Sequence, residues 1–122
     1  MNKITAVVIE SDGTAYSIEV GTSVKELSEA INAPEAVCVW HGDDICVFVD
    51  YDYCTYAPLD DVNRVASSIM SENDSDGIVI YGSVLFVGDT SDDEEPDSLT
   101  NEQVTDLLNK AEHYAAELEE LR

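Results

Sequence analysis

The chain has 122 residues, 44% of them hydrophobic, and its 27 acidic side chains outnumber 5 basic ones, giving a formal net charge of -22. The length predicts one domain, and the hydrophobic content argues against a disordered acidic chain. The charge excludes direct binding to a nucleic-acid backbone as the default interpretation, because such proteins supply Lys and Arg to the phosphates. It favours either a surface that faces a basic partner or a surface that is only highly solvated.

No apolar run approaches the ~20 residues that span a membrane. The N-terminus has no basic region followed by an apolar core, so no secretory signal is evident. The cysteines, Cys38, Cys46 and Cys54, are odd in number and do not suggest a disulfide framework. We therefore expect the protein in a reducing cytoplasm.

The first third of the chain predicts a hairpin and a short helix. Residues 3–10 and 15–20 have the pattern of two strands, and Asp12-Gly13 between them is a strong turn signal because Gly adopts positive φ at little cost. Residues 23–32 follow as a helix, with a possible capping box at its start.

Two apolar stretches, residues 36–41 and 45–51, predict a second hairpin across residues 42–44. Both stretches are apolar at consecutive positions, which is typical of strands that are buried on both faces. We therefore expect both of them to be central strands of the sheet.

A second helix is predicted over residues 60–71, where the apolar residues recur at helical spacing and Asp60 or Asp61 is placed to cap it. Residues 78–87 then read as strand, interrupted at Gly82. This glycine indicates either a bulge in one strand or a break between two short ones.

The last part of the chain is the most acidic. We predict a core domain over residues 1–88, an acidic linker over residues 89–98 and a long amphipathic helix within residues 99–122. Thr100 and Gln103 form a capping box at the start of this helix. Its apolar stripe runs along its whole length, so we expect it to pack on the core or on a second copy of itself.

The order of elements is ββαββαβ(β)α. This order predicts an α+β domain with a largely antiparallel sheet, helices packed on one side and a long C-terminal helix.

Sites for catalysis or metals have little support. Residues 72–77 are the best local match to a calcium loop, but the ligand pattern fails and a strand follows, so we read them as a polar loop. Cys38, His41 and Cys46 have some ligand-like spacing, but buried thiols in a core hairpin account better for them. The chain has only one other histidine, His113, and no nucleophile motif or phosphate loop. We predict no enzyme activity, no cofactor and no metal.

Two acidic regions are candidate partner-binding sites. In the first, strand alternation would place Asp50 and Asp52 on one face and Tyr51 and Tyr53 on the other. Aromatic rings beside carboxylates suit a partner's Arg side chains. The simpler alternative is that the tyrosines cover the sheet while the acids face water.

The second region comprises the linker and the outer face of the final helix. The helix carries acids at its C-terminal end, where the helix dipole disfavours them, which suggests a role other than stability. The alternative is a solvated face. The candidate partner-binding residues of this region are Asp92, Asp93, Glu94, Glu95, Glu102, Asp106, Glu117 and Glu120.

The order of segments resembles a family of small uncharacterised domains common in phages, prophages and conjugative elements of Gram-positive and actinobacterial hosts. The matching pieces are residues 6–10, the helix from Val24 to Ile31, Pro58-Leu59 with Asn63-Arg64, residues 80–88 and residues 98–103. This chain differs in its heavier acid content and longer terminal helix, and the family supplies no catalytic residues. The resemblance implies a mobile-element origin, where small acidic proteins often resemble DNA mimics that block host nucleases or other DNA-binding proteins.

These observations predict a non-enzymatic inhibitor of the DNA-mimic type, such as an anti-restriction or anti-CRISPR protein, that binds a basic host protein. It would bind neither nucleic acid nor a membrane directly. The alternative is an interaction module that forms a homodimer through the C-terminal helix, with the acidity serving only solubility. Adaptation to high salt would also explain the acids, whereas no loop supports a small-molecule or nucleotide site.

Overall fold

The computed structural model describes residues 3–42, 44–52, 62–71, 79–88 and 97–120, with only the backbone described at residues 40–42. The strands are β1 (Lys3–Ile9), β2 (Ala15–Gly21), β3 (Ala36–Gly42), β4 (Ile45–Asp50) and β5 (Val84–Gly88). The helices are α1 (Val24–Ala30), α2 (Arg64–Ser71) and α3 (Asn101–Glu120).

The strands form one five-stranded sheet in the order β2-β1-β5-β4-β3, and every neighbouring pair is antiparallel. The α+β class, the antiparallel sheet and the long C-terminal helix are therefore confirmed. The central strand is β5, all five of whose residues are buried. The expectation that both strands of the second hairpin are central is wrong for β3, which lies at an edge of the sheet.

Helices cover both faces of the sheet, which corrects the expected packing on one side. Side chains alternate along each strand, and on β5 Val84 and Phe86 join one core cluster while Leu85 and Val87 join another. The first cluster is closed by α2 and α3, and the second by α1. Two buried faces explain why the strand sequences are apolar at consecutive positions.

The position of α1 follows from the strand order. It connects β2 to β3, which are the two opposite edges of the sheet, and it contacts both of them. The connection must therefore cross one face of the sheet, where Leu27 and Ile31 are buried. Ser23 caps this helix, its hydroxyl accepting from the Glu26 amide at 3.2 Å.

The first hairpin is confirmed. Gly13 has a φ of 95°, a value that glycine adopts without the clash that a Cβ would cause. The Glu10 amide donates to the Thr14 carbonyl at 2.8 Å and closes the turn. This turn marks one end of the sheet, which we call the hairpin end; the opposite end, where β4 and α3 begin, is called the stem end.

The start of α2 differs from the prediction. Asp60 and Asp61 lie outside the described residues, and the helix begins after Asn63, whose side-chain oxygen accepts from the Ala66 amide at 3.0 Å. The Asn63 amide nitrogen also donates to the carbonyls of Ile9 and Gly82, at 2.9 and 2.8 Å. One buried side chain thus caps α2 and joins it to β1 and to the segment before β5.

The segment before β5 is not a second strand among the described residues. Gly82 has a φ of 74°, and Tyr81 forms only an isolated bridge, to Val62. Neither alternative for Gly82, a bulge in one strand or a break between two strands, is found among the described residues, because the strand begins only at Val84.

The long helix α3 starts at the predicted capping box. The Thr100 amide donates to the Gln103 side chain at 2.8 Å, and the Gln103 amide donates to the Thr100 hydroxyl at 3.1 Å. Leu107 and Ala111 are buried against the sheet and α2. None of the helices described is long and apolar enough to cross a membrane.

Candidate acidic interaction surface

The acidic linker leaves and rejoins the sheet at a single point. At the end of β5, the Gly88 amide donates to the Asp97 carbonyl at 2.7 Å, and the Asp97 amide donates back to the Gly88 carbonyl at 2.8 Å. Residues 89–96 are outside the described residues, and these two hydrogen bonds hold the residues that flank them, Gly88 and Asp97, side by side. Five of its eight residues are acidic.

The residues after the linker lie between two strands. The Thr5 amide donates to the Ser98 hydroxyl at 2.9 Å, and the Leu99 amide donates to the Thr5 carbonyl at 2.9 Å. Leu99 is buried in the core. Since Gly88 bonds to Asp97 on the other side, residues 97–99 join β1 to β5 at a point beyond the last direct pair of those strands.

Gly88 is required for this close approach. A Cβ built at Gly88 lies 2.7 Å from the Ser98 carbonyl oxygen and 3.0 Å from that of Asp97. Both atoms are backbone, so the contact could be relieved only by moving the chain.

Several acids surround this point. The Gln103 side chain at the start of α3 donates to the Asp44 carbonyl at 3.4 Å, which places the β3–β4 turn beside the first turn of the helix. The exposed acids of this region are called the stem cluster and comprise Asp44, Asp97, Glu102 and Asp106. Lys110 partly offsets this charge through a 3.3 Å ion pair with Asp106.

A second acidic group lies at the far end of β4. The strand ends at Asp50, so the predicted alternation does not extend to Tyr51 and Asp52, and Tyr53 lies outside the described residues. Instead, the Asp50 carboxylate accepts from the Asp52 amide at 3.0 Å, and the Tyr51 amide donates to the Glu35 carbonyl at 2.8 Å. The Tyr51 side chain is 48% exposed. We call Glu35, Asp50, Tyr51 and Asp52 the tyrosine patch.

A third group, the helix-end cluster, comprises Glu117, Glu119 and Glu120 at the C-terminal end of α3. All three are exposed, and His113 approaches Glu117 at 3.5 Å. A cleft of about 810 Å³ lies beside them, lined in part by Asp12, Arg64 and Glu119. Arg64 places one positive charge in this region, so the cleft is of mixed charge.

The structure separates the predicted partner-binding residues into these groups. The stem cluster and the tyrosine patch lie at opposite ends of β4, about 17 Å apart at ~3.3 Å per residue. Along α3, Asp106 and Glu117 are separated by about 16 Å at ~1.5 Å per residue. Of the predicted residues, the stem cluster contains Glu102 and Asp106. The predicted residues that lie outside the described part of the chain are Tyr53, Asp92, Asp93, Glu94 and Glu95.

Two side chains at the hairpin end have shifted pKa values. Hydrogen bonds from the Thr14 backbone and side chain lower the pKa of Asp12, because they favour the ionised carboxylate. Desolvation raises the pKa of Tyr16, and the nearby Glu10 carboxylate adds to this effect. Both pKa shifts arise from contacts within the β1–β2 hairpin.

Within the described ranges, no three or more His, Cys, Asp or Glu side chains are grouped closely enough to hold a metal ion. Residues 72–77, interpreted from the sequence as a polar loop and not as a calcium site, lie outside those ranges. Cys46 is buried and Cys38 is half-buried, as predicted for the core hairpin. The sequence did not predict that their sulfur atoms lie 2.6 Å apart.

Sequence reasoning also missed Asn63. Its position directly before an apolar helical pattern is the usual signal for a capping residue, but the neighbouring aspartates gave the same signal. Nothing local in the sequence indicates its two contacts with Ile9 and Gly82.

Comparison with known proteins identifies one family. The family model described as "Domain of unknown function (DUF3846)" matches residues 4–112. This match covers most of the chain, from β1 into the second half of α3. No curated protein and no solved structure matches the chain.

Proposed function

We propose that this chain, which belongs to the DUF3846 family of domains of unknown function, is a non-enzymatic acidic protein that binds a basic nucleic-acid-binding protein. Its carboxylates would occupy positions that phosphates take in the partner's groove. The observation that carries this proposal is the reciprocal hydrogen bonding of Gly88 and Asp97, which holds the two residues that flank the acidic segment 89–96 side by side at the stem end.

The stem end concentrates charge in a way that a uniform solvated surface does not. Residues 89–97 contain six acids, and Asp44, Glu102 and Asp106 lie around the ends of this segment. At physiological salt the Debye length is about 8 Å, so acids about one helical turn apart, ~5.4 Å, reinforce the local potential. Such a field accelerates the encounter with a cationic partner and weakens as salt rises.

The first turn of α3 tolerates this charge. Glu102 lies near the helix N-terminus, where the macrodipole favours a carboxylate. The clustered charge at this end is therefore partly compensated in the free protein. A cationic partner would offset the repulsion among the acids of the linker.

The partner class and cellular context are also proposals. The sequence resembles domains of phages and conjugative elements, which supports an origin in a mobile element and a host protein as the target, as for anti-restriction or anti-CRISPR proteins. A partner of that kind places the protein in the cytoplasm. The tyrosine patch offers a second contact, because Tyr51 is exposed beside three acids and suits stacking with Arg.

The alternative, a homodimer through the stripe of α3, has less support. Leu107 and Ala111 are buried against the sheet, and the neighbouring apolar residues of the helix pack on the same cluster. A dimer that used this stripe would first have to separate α3 from the core.

The proposal is tested by affinity capture from host lysate with two charge-matched variants. The stem variant carries Asp44→Asn, Glu102→Gln and Asp106→Asn, and the control carries Glu117→Gln, Glu119→Gln and Glu120→Gln. We expect the wild type to retain a nucleic-acid-binding protein at low salt and to release it at ~0.5 M salt, where the Debye length is about 4 Å. Duplex DNA should compete with the wild type and release the captured protein.

The two variants separate a local site from general charge. We expect the stem variant to lose most of the captured protein and the control to retain it. Neutralising residues 92–95 should cause at least as large a loss as the stem variant. If both charge-matched variants lost the same amount of captured protein, net charge alone would explain binding, and the stem cluster would not be a specific site. Failure of the wild type to retain any nucleic-acid-binding protein at low salt would refute the proposal.

A further inference from the structure

We propose that Cys38 and Cys46 form a dithiol site that is oxidised reversibly to an intramolecular disulfide. Their sulfur atoms lie 2.6 Å apart across the β3–β4 hairpin. This inference rests on the hairpin alone and is independent of the proposed partner.

A β-bulge brings the two cysteines to the same face. From the turn, Gly42 pairs with Ile45 and His41 pairs with Cys46. Continued without interruption, this register would pair Cys38 with Val49, and Cys38 would then point to the face opposite Cys46. The register instead shifts between Cys38 and Trp40, so that Cys38 pairs with Phe48.

The shifted register has a consequence for both side chains. Phe48 and Cys46 are two residues apart on β4 and share a face. Cys38, as the partner of Phe48, therefore lies diagonally across from Cys46, and all three side chains pack in the core cluster under α1. Diagonal neighbours are usually too far apart for a disulfide, so the bulge is what allows this one.

The two thiols differ in exposure to solvent, and this difference determines the order in which they react. Cys38 is half-buried and lies on the edge strand β3, whereas Cys46 is buried on β4. An oxidant from solvent therefore reaches Cys38 first. Once Cys38 has reacted, Cys46 is the thiol next to it.

The reaction is a thiol–disulfide exchange with a low-molecular-weight disulfide such as oxidised glutathione. The Cys38 thiolate attacks one sulfur of glutathione disulfide, forming a mixed disulfide and releasing one glutathione thiolate. The Cys46 thiolate then attacks the Cys38 sulfur and releases the second glutathione. The two thiol protons pass to the released glutathiones, so two protein thiols are oxidised and one glutathione disulfide is reduced.

The test uses the full chain with Cys54→Ser, so that only the two proposed thiols react. The protein is equilibrated in glutathione buffers of graded ratio, quenched with acid, alkylated and weighed intact. We expect a species that has lost two hydrogens and both alkylation sites, and a peptide map that joins Cys38 to Cys46. Excess reduced glutathione should restore both alkylation sites.

A face-swapped control distinguishes this geometry from chance pairing. The variant Val37→Cys with Cys38→Ser moves the thiol by one residue to the opposite face, where Val37 packs with the other core cluster. We expect this variant to form mixed disulfides with glutathione but no internal one. Equal internal cross-linking in both proteins would overturn the proposal.

A second measurement remains decisive if that variant fails to fold. The Cys54→Ser protein is equilibrated in the same glutathione buffers with and without denaturing urea. If the fold holds the sulfurs together, the disulfide is more stable in the native protein than in the unfolded chain. Half-reduction of the native protein should then require a glutathione buffer that is roughly ten-fold more reducing. The same midpoint in both conditions, or only mixed disulfides in the native protein, would overturn the proposal.

Discussion

The two ends of the sheet are held together by different means. At the hairpin end, the fully buried side chain of Asn63 bonds to Ile9, Gly82 and Ala66. At the stem end, the Gly88–Asp97 pairing is made by backbone atoms, and the Ser98 hydroxyl adds a side-chain contact by accepting from the Thr5 amide. The Gly88–Asp97 pairing uses no side chain, and the acids of the stem cluster are exposed. The charges of Asp44, Glu102 and Asp106 can therefore be removed without breaking that pairing.

The largest effect is expected at Asn63. Asn63→Ala removes the partners of two buried carbonyls and of the Ala66 amide, and each unpaired buried group costs about 1–3 kcal/mol. We expect the free energy of unfolding to fall by about 3 kcal/mol or more in urea denaturation. Asn109→Ala, at an exposed position of α3, should change it by less than about 0.5 kcal/mol. Similar values for both variants would contradict the role of Asn63 at the hairpin end.

The stem end is expected to be disrupted by Gly88→Ala. The added Cβ would meet the Ser98 carbonyl oxygen at 2.7 Å, and relieving this contact requires the backbone of residues 97–98 to move. Overpacking of this kind costs about 1–3 kcal/mol. We expect a loss in that range by urea denaturation, together with weaker capture of a basic partner.

Gly21→Ala is the matched control for the stem end. Gly21 also ends a strand, but a Cβ there would meet the Glu26 carboxylate, which is the far end of a flexible side chain. Rotation of Glu26 relieves the contact, so the loss should be below about 1 kcal/mol. A larger loss in Gly21→Ala than in Gly88→Ala would contradict the role assigned to the Gly88–Asp97 pairing.

Local sequence signals predicted where helices and hairpins begin and end. They predicted less well which elements pack against each other. Asp12-Gly13 predicted the first hairpin, and Thr100 with Gln103 predicted the start of α3, because turns and caps depend on residues close in sequence. Within the described part of residues 78–87, strand begins only at Val84, because Gly82 adopts a positive φ that interrupts the extended conformation.

Contacts between distant residues could not be predicted in this way. The apolar strands indicated burial on both faces, but not that α1 crosses one of them while α2 and α3 cover the other. The pairing of Cys38 with Cys46 depends on one extra residue in β3, and no local signal marks that bulge. The candidate acids were recognised by type, whereas their division between the stem end and the opposite end of the sheet depends on the strand order.

The smallest expected effect is a dependence of stability on pH that arises at the hairpin end, from Asp12. The pKa of Asp12 lies below the ordinary value for an aspartate because the ionised carboxylate accepts hydrogen bonds from Thr14. A carboxyl group whose folded pKa is depressed stabilises the fold above the unfolded pKa, and that contribution disappears as pH falls through the folded pKa. We expect the stability advantage of the wild type over Asp12→Asn to be constant at neutral pH and to decline below pH ~4. Urea midpoints between pH 7 and pH 2 measure it. Thr14→Ala keeps the carboxylate but removes one donor, so it should move the NMR pKa of Asp12 upward. An advantage that does not decline in acid would show that the ionised Asp12 contributes nothing to the hairpin end.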